Sequence, residues 1–405
     1  MNLLFVADAS ISRVGSGTER VVFEQATRLA AAGHAVHLMT RLVPDIHDQE
    51  SETIDGATEW RYRADAGHPW RFITDTIYRG GRLFRSLHRD VGFDCVFFHQ
   101  PLSAMAVLFS GRRGIRKIYT CHSLWHEEYL SRKSAQSAVS SRLVLEGMAR
   151  ARKTAEKIVL EAADQIVTLS DYTRAKLLAS QKIRPGKIAV VPGGVDLDRF
   201  RPADDRPALR RKMGLPENRA VLFTLRNLEP RMGLSELLQA MKIVIGRTAD
   251  VHLVIGGEGP LKPALLAQTE RDGLTPHVTF TGFIEENDLP DYYRLADLFI
   301  LPTRDLEGFG LVTLEAMASG TPVLGTPVGG TLEILEPFDR GLLFDGLSGD
   351  AMARLIVEKA GVVLKTPEAF EQLRLKARAF VASRYSWDGN IDALLALASG
   401  GGISE

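Results

Sequence analysis

Residues 299–330 read FILPTRDLEGFGLVTLEAMASGTPVLGTPVGG, and this run decides the fold. An apolar strand, Phe299 to Leu301, stops at Pro302. A polar loop leads to the turn Gly308-Phe309-Gly310. An amphipathic helix is predicted from near Leu311 to Ser319-Gly320. A second strand, Pro322 to Gly325, runs into a Gly-rich turn at Gly329-Gly330. The unit is strand–loop–helix–strand, in which ligands sit at the strand's carboxyl end and the helix's amino end. Unpaired N–H groups and the positive dipole end there favour an anion such as a diphosphate. Two carboxylates frame the turn, Glu307 before it and Glu315 inside the helix. A carboxylate can accept hydrogen bonds from the paired hydroxyls of a ribose or hexose. The plainer reading is a charge at a helix start, Glu307, and an exposed helix residue, Glu315.

The run resembles the signature of the retaining glycosyltransferases of family four, the glycosyl transferases of group 1. There two Glu separated by seven residues flank a Gly-Phe-Gly turn, followed by Glu-Ala-Met-Ala-x-Gly-x-Pro-Val and Gly-Gly-x-x-Glu. This chain carries EGFGLVTLEAMASGTPV and GGTLE without a gap. The resemblance covers essentially the whole chain. It implies the GT-B fold, α/β, with two Rossmann-like doubly wound domains facing each other across a cleft. It implies that Glu307 lies near the donor hexose, that Glu315 holds the nucleotide's ribose hydroxyls, and that the backbone of Phe309, Gly310 and Leu311 faces sugar and phosphates.

Composition agrees with a soluble globular chain long enough for two domains: 405 residues, 45% hydrophobic, 25% charged, net charge zero. Basic residues concentrate between 71 and 160, acidic ones between 285 and 350. The basic block suits an anionic acceptor or a membrane surface, or is simply solvated helix faces. Nothing points to a nucleic-acid partner. Cys95 and Cys121, the only cysteines, fall in apolar runs and form no Cys-x-x-Cys pair, as expected of buried thiols in a reducing cytoplasm. The start MNLLFVAD lacks a basic leader and a long apolar core, so no signal peptide is read. No apolar run approaches the ~18 residues a membrane span needs.

In chain order, Leu3 to Ala7, Ala35 to Met39, Asp94 to His99, Lys117 to Cys121, Gln165 to Ser170 and Ile188 to Pro192 read as buried parallel strands. The first is followed by Gly15-Ser16-Gly17-Thr18 and a helix from about Glu19 to Ala32. GSGTER has two of the three glycines of a dinucleotide fingerprint, and the next strand ends in Thr40-Arg41, not an acid, so a nicotinamide enzyme is not expected. In the resembled family a Gly-Gly-x-Glu-Arg loop lies here, near acceptor and phosphate. Gly15 and Gly17 take that place, although Thr18 departs from the pattern. Residues 42–70 carry little signal. Residues 71–90 look helical and basic, with a kink at Gly80-Gly81, and 131–161 form a second basic helical stretch. Some family members dock on membranes through such helices, which makes peripheral membrane contact an expectation. His122 sits at a strand's carboxyl end, and the family has a His there touching the donor sugar. His126 ranks below it.

GGVDLDRFRPADDRP, from Gly193, is a linker, and Asp196-Leu197-Asp198 within it caps a turn rather than binding metal. The domains expected are 1–198 with a returning C-terminal helix in 386–405, for the acceptor, and 199–385, for the nucleotide sugar. In the second, RNLEPRMGL places Arg226 and Arg231 on a strand-to-helix loop, where guanidinium forks suit a diphosphate. The family's Gly-Arg-x-x-x-x-Lys-Gly differs: Asn227 and Met232 stand where its Arg and Lys would fall, and Arg226 and Arg231 come one residue early. The turn at Gly256 to Pro260, with Gly257, lies beside the nucleotide in the family, and Phe283 beside the base. Short strands at Val221 to Leu225, Val251 to Ile255, Val278 to Thr281 and Gly341 to Phe344 are predicted, and helices at about 350–363, 367–383 and 387–398.

The function expected is metal-independent transfer of a hexose, with retention, from a donor such as UDP- or GDP-hexose to a hydroxyl of a glycan, lipid or small molecule, with no cofactor. The alternatives are a nucleotide-sugar epimerase of the same fold and a noncatalytic nucleotide-sugar binding protein. A pyridoxal phosphate lysine motif of the phosphorylase type is not visible.

Overall fold

The computed structural model describes all residues except 9, 13, 45–48, 112–113, 135–141, 249 and 402–405. It divides into two compact units: Met1–Gly193 with Trp387–Glu405, and Gly194–Ser386.

The first unit is built on eight strands: β1 (Asn2–Val6), β2 (Ala35–Leu42), β3 (Ser51–Ile54), β4 (Ala57–Arg63), β5 (Cys95–Phe98), β6 (Arg116–Cys121), β7 (Gln165–Thr168) and β8 (Ile188–Val190). Their order is β3-β4-β2-β1-β5-β6-β7-β8. All pairings are parallel except the β3–β4 hairpin. Leu3–Val6 of β1 and all of β5 are apolar and fully buried, because helices cover both faces of the parallel sheet. The hairpin lies where the sequence gave little signal, yet Asp55-Gly56 marks it. Both residues have positive φ, 46° and 84°, as a tight hairpin turn requires.

The basic stretch after it is a helix at Pro69–Asp75, a wider π turn at Thr76–Gly80 and a helix at Gly81–Val91. The irregularity falls at the predicted kink, and its cause is packing. A side chain at Gly81 would lie 2.9 Å from the carbonyl oxygen of Ala106, on the Pro101–Leu108 helix. The second basic stretch resolves into helices Trp125–Ser134 and Arg142–Ala162, and the part of the prediction at 135–141 lies outside the described residues. The terminal helix, Trp387–Ala398, returns to this unit. Its Ile391, Leu394, Leu397 and Ala398 share one apolar core with Leu3, Phe5, Val36 and Leu38.

The second unit has five parallel strands: β9 (Ala220–Leu225), β10 (Val251–Gly256), β11 (Val278–Gly282), β12 (Leu298–Leu301) and β13 (Val323–Gly325), in the order β11-β10-β9-β12-β13. From β9 the chain winds outward on one side and then returns to the other, so the order reverses between β9 and β12. Both units are thus Rossmann-like. In such sheets the crevice outside the carboxyl ends at the reversal is where ligands bind. The strand expected at Gly341–Phe344 is a short 3-10 turn, Arg340–Leu342, followed by a single bridge from Leu343 to Gly325. Three α-helices of this unit have no counterpart in the sequence reading, one of them Lys262–Arg271. Gly329-Gly330 opens a helix, Gly329–Leu335, and the linker contains one at Arg206–Lys212, started by the Asp205 side chain and by Pro207.

Candidate functional site

The reversal point of the second unit carries a buried charge cluster. Arg226 follows the last residue of β9, and Thr303 and Glu307 follow β12. The Arg226 Nη2 donates to Glu307 Oε2 at 2.6 Å and to Thr303 Oγ1 at 2.8 Å, and Thr303 Oγ1 donates to the same carboxylate oxygen at 3.0 Å. All three side chains are buried. Burial and the neighbouring Arg231 pull the Arg226 pKa down while Glu307 holds it up. Arg231 donates to the Leu306 carbonyl at 3.3 Å and lies 3.4 Å from Glu229. The two arginines therefore stand together around the loop that carries Glu307.

That loop is constrained at both ends. Leu306 has φ 58°, a left-handed conformation uncommon for a leucine, directly before Glu307. Gly310 has φ 93° and stands at the start of the Leu311–Ala318 helix, whose first turn has no side-chain cap. The Phe309 ring is turned inward and buried, edge-on to Tyr385 at 6.0 Å. Leu311 is buried behind it. Glu315 is also buried and accepts a hydrogen bond from the Tyr293 hydroxyl at 2.8 Å, so the plain reading of an exposed helix residue does not hold.

Glycines let these loops touch backbone to backbone. A Cβ at Gly257 would lie 2.0 Å from the Arg226 oxygen, one at Gly329 2.2 Å from the Glu307 oxygen, and one at Gly330 2.4 Å from the Phe309 Cα. The Gly330 amide donates to the Glu307 carbonyl at 2.9 Å, and the Gly257 amide to Gly282 at 2.7 Å. Phe283, next along from Gly282, is exposed at the same edge of the sheet. Arg226, Arg231, Gly257, Phe283, Glu307, Gly310 and Glu315 thus all belong to one end of one sheet. Thr303 and Tyr293 complete the cluster and were missed, because their roles arise only when β9, β12 and the helix before β12 meet.

In the first unit, His122 follows β6 and His99 follows β5. Their rings are nearly coplanar, 26° apart, with His99 Nδ1 2.9 Å from His122 Nε2. Burial pushes the His122 pKa down to about 4. Burial and then His122 itself hold that of His99 well below the usual imidazole range. His126 lies elsewhere. Its Nε2 is 3.1 Å from Ser180 Oγ and its Nδ1 3.5 Å from the fully buried Glu156, a brace between helices. Gly15 and Gly17 flank Ser16, the cap of the Gly17–Ala31 helix, and Glu19 reaches back to the Gly15 amide. The turn is therefore a well-capped helix start, with open space at Gly17. The Asp196 carboxylate accepts from the amides of Asp198 and Arg199, at 3.0 and 2.9 Å. Among the described residues no three His, Cys, Asp or Glu cluster as metal ligands would.

Both halves of the chain are similar to known proteins. Residues 15–199 match the family described as Glycosyltransferase Family 4, and residues 205–378 match Glycosyl transferases group 1. A GDP-mannose-dependent alpha-(1-6)-phosphatidylinositol monomannoside mannosyltransferase of Mycobacterium tuberculosis is 34% identical over 239 residues, 56% of this chain and 60% of that protein. The chain thus spans less than two thirds of that relative's length. A D-inositol 3-phosphate glycosyltransferase of Nocardioides sp. is 29% identical over 89% of this chain and 81% of its own. Among solved structures, a sucrose-phosphate synthase from Thermosynechococcus elongatus superposes with a TM-score of 0.82 at 24% identity, over 98% of both chains. An Anabaena protein solved with UDP and glucose gives 0.77 at 16% identity, over 99% of this chain and 100% of its own. The fold is that of these GT-B proteins, and with both halves matching in order the chain belongs to family 4 of the group 1 glycosyl transferases.

Proposed function

We propose that the chain transfers a hexose from a nucleotide diphosphate sugar to a hydroxyl acceptor, with retention and without a metal ion. The observation that carries this reading is the Glu307–Arg226–Thr303 cluster beside the uncapped amino end of the Leu311–Ala318 helix. The second unit binds the donor. The helix end, Arg226 and Arg231 face the diphosphate and neutralise the charge that builds on it as the glycosidic bond breaks. Glu315, held by the Tyr293 hydroxyl, meets the ribose, and Gly257 and Phe283 flank the nucleoside. Glu307 orients the hexose. Its carboxylate already accepts from Arg226 and Thr303, which suits a hydrogen-bonding group better than a free nucleophile. The acceptor hydroxyl attacks on the face the leaving group vacates, and the first unit, with His122 and the Gly15–Gly17 turn, holds the acceptor.

The named relatives favour GDP-mannose as the first donor to try and an inositol phosphate or its lipid as the first acceptor. A thermal-shift panel of GDP-, UDP- and ADP-sugars, then product NMR with and without EDTA, tests the reading. Expected are stabilisation by one donor class, an unchanged rate in EDTA and an α-linked product from an α-donor. Glu307→Gln lowers kcat by roughly a hundredfold or more while the donor still binds. Absence of binding by every sugar nucleotide overturns the reading. Donor conversion without acceptor identifies an epimerase instead.

A peripheral membrane contact at the cytoplasmic face belongs to the same proposal. Trp70, Tyr78, Leu143 and Val144 are largely exposed, beside Arg71, Arg79, Arg142 and Arg150. Apolar anchors among cations suit an anionic bilayer surface. No described helix is long and apolar enough to cross one. Flotation with anionic liposomes at low salt, lost on Trp70→Ser with Leu143→Ser, is the expected result.

A further inference from the structure

The contact between His99 and His122 determines which nitrogen of His122 carries its proton. Two ring nitrogens 2.9 Å apart need one N–H and one lone pair between them. If His122 donated from Nε2, the neutral His99 ring would carry its own proton on Nε2. That atom is buried and has no partner among the described residues. An orphaned buried N–H costs more than an unused acceptor. The opposite arrangement leaves only a bare lone pair there. His99 is held for this role by its place in the fold. It is buried at the end of β5, its amide donates to the Val6 carbonyl at 3.0 Å, and its ring stacks on Phe5 with centroids 5.6 Å apart.

We propose that His99 is a positioning residue that donates from Nδ1 to His122 Nε2, and so fixes His122 as a neutral imidazole with its proton on Nδ1. His122 then meets its ligand as a hydrogen-bond donor from Nδ1, aimed at a hydroxyl or ring oxygen of the sugar. Its Nε2 is occupied and cannot serve as a base. The low pKa values of both rings agree, since neither ring is protonated a second time near neutral pH. The tautomer follows from the geometry alone, whereas its consequence for transfer rests on the function proposed above.

The test is long-range proton–nitrogen NMR of ring-labelled histidine in the full chain. Expected for the wild type near neutral pH is a protonated Nδ1 and an unprotonated, hydrogen-bonded Nε2 on His122. His99→Phe keeps the stack on Phe5 but removes the donor, so His122 should shift toward the Nε2-protonated form. His99→Asn places an amide N–H where Nδ1 stood and should restore the wild-type pattern. In transfer assays His99→Phe should lower kcat roughly tenfold with little change in KM, and His99→Asn should recover most of it. A wild-type His122 protonated on Nε2, or a His99→Phe variant with unaltered tautomer, overturns the assignment. The wild-type spectrum decides even where a variant fails to fold. If the chain moves no sugar, the spectrum still reports on the tautomer, so the two readings fail separately.

Discussion

Arg226 and Glu307 each solve the other's problem. A guanidinium and a carboxylate, both buried, are tolerable only as a pair with a third hydrogen-bonding group, here Thr303. Arg226→Met should therefore destabilise the second unit by about 3–5 kcal/mol, because the carboxylate stays behind unpaired. Adding Glu307→Gln should recover a large part of that loss in urea titrations, and a purely additive double variant would contradict the pairing. At this scale Glu307, Glu315 and His122 were legible, since the first two sit in an unbroken motif and the third ends an apolar strand. Thr303, Tyr293 and His99 were not. Each is an ordinary residue whose meaning depends on which strand lies beside its own, and β5 and β6 or β9 and β12 are neighbours only in three dimensions.

The elements around the site are locked by small residues more than by large ones. Gly330 shows this most directly, because its position leaves no room for a methyl against the Phe309 backbone. Gly330→Ala should cost roughly 2–3 kcal/mol and displace the turn that carries Glu307, seen as a lower Tm together with weakened donor binding. Strand ends supply a second handle. His99 and His122 terminate β5 and β6 with pKa values below the ordinary 6.5, that of His122 about 4. The unfolded chain therefore binds more protons than the folded one between those limits. Stability contributed by the neutral rings is complete above pH 6.5 and falls as pH drops toward 4, by up to about 1.4 kcal/mol per pH unit for each ring. His252, also near 4 through burial, adds a slope of the same sign in the second unit. A His99→Asn, His122→Asn variant should show a flatter profile over this range in urea titrations.

Element recognition from the sequence succeeded where apolar runs are continuous. It missed the β3–β4 hairpin despite the Asp55-Gly56 signal, and it missed the Gly329–Leu335 helix because two glycines read as a turn. There the helix starts on glycines because any side chain would strike the Glu307 loop.

At the scale of the whole chain, the first unit is discontinuous. It is left at Gly193 and rejoined at Trp387. The returning helix brings Ile391, Leu394, Leu397 and Ala398 into its core, and Asn390 bonds Gln25 and the Pro192 carbonyl at 3.0 and 2.7 Å. Burying those apolar side chains contributes roughly 6 kcal/mol or more, comparable to the total stability of many domains. A chain ending at Ser386 should lose amide protection throughout 1–193 in hydrogen exchange while 194–386 keeps its own.

The same discontinuity sets an order on the ribosome. The half made first cannot be finished until the returning helix, Trp387–Ala398, has left the exit tunnel, after the half made second already has everything it needs. A nascent chain paused before that helix emerges would carry a finished second unit and an unsealed β-sheet in the first, and that apolar face is what a chaperone would find to hold.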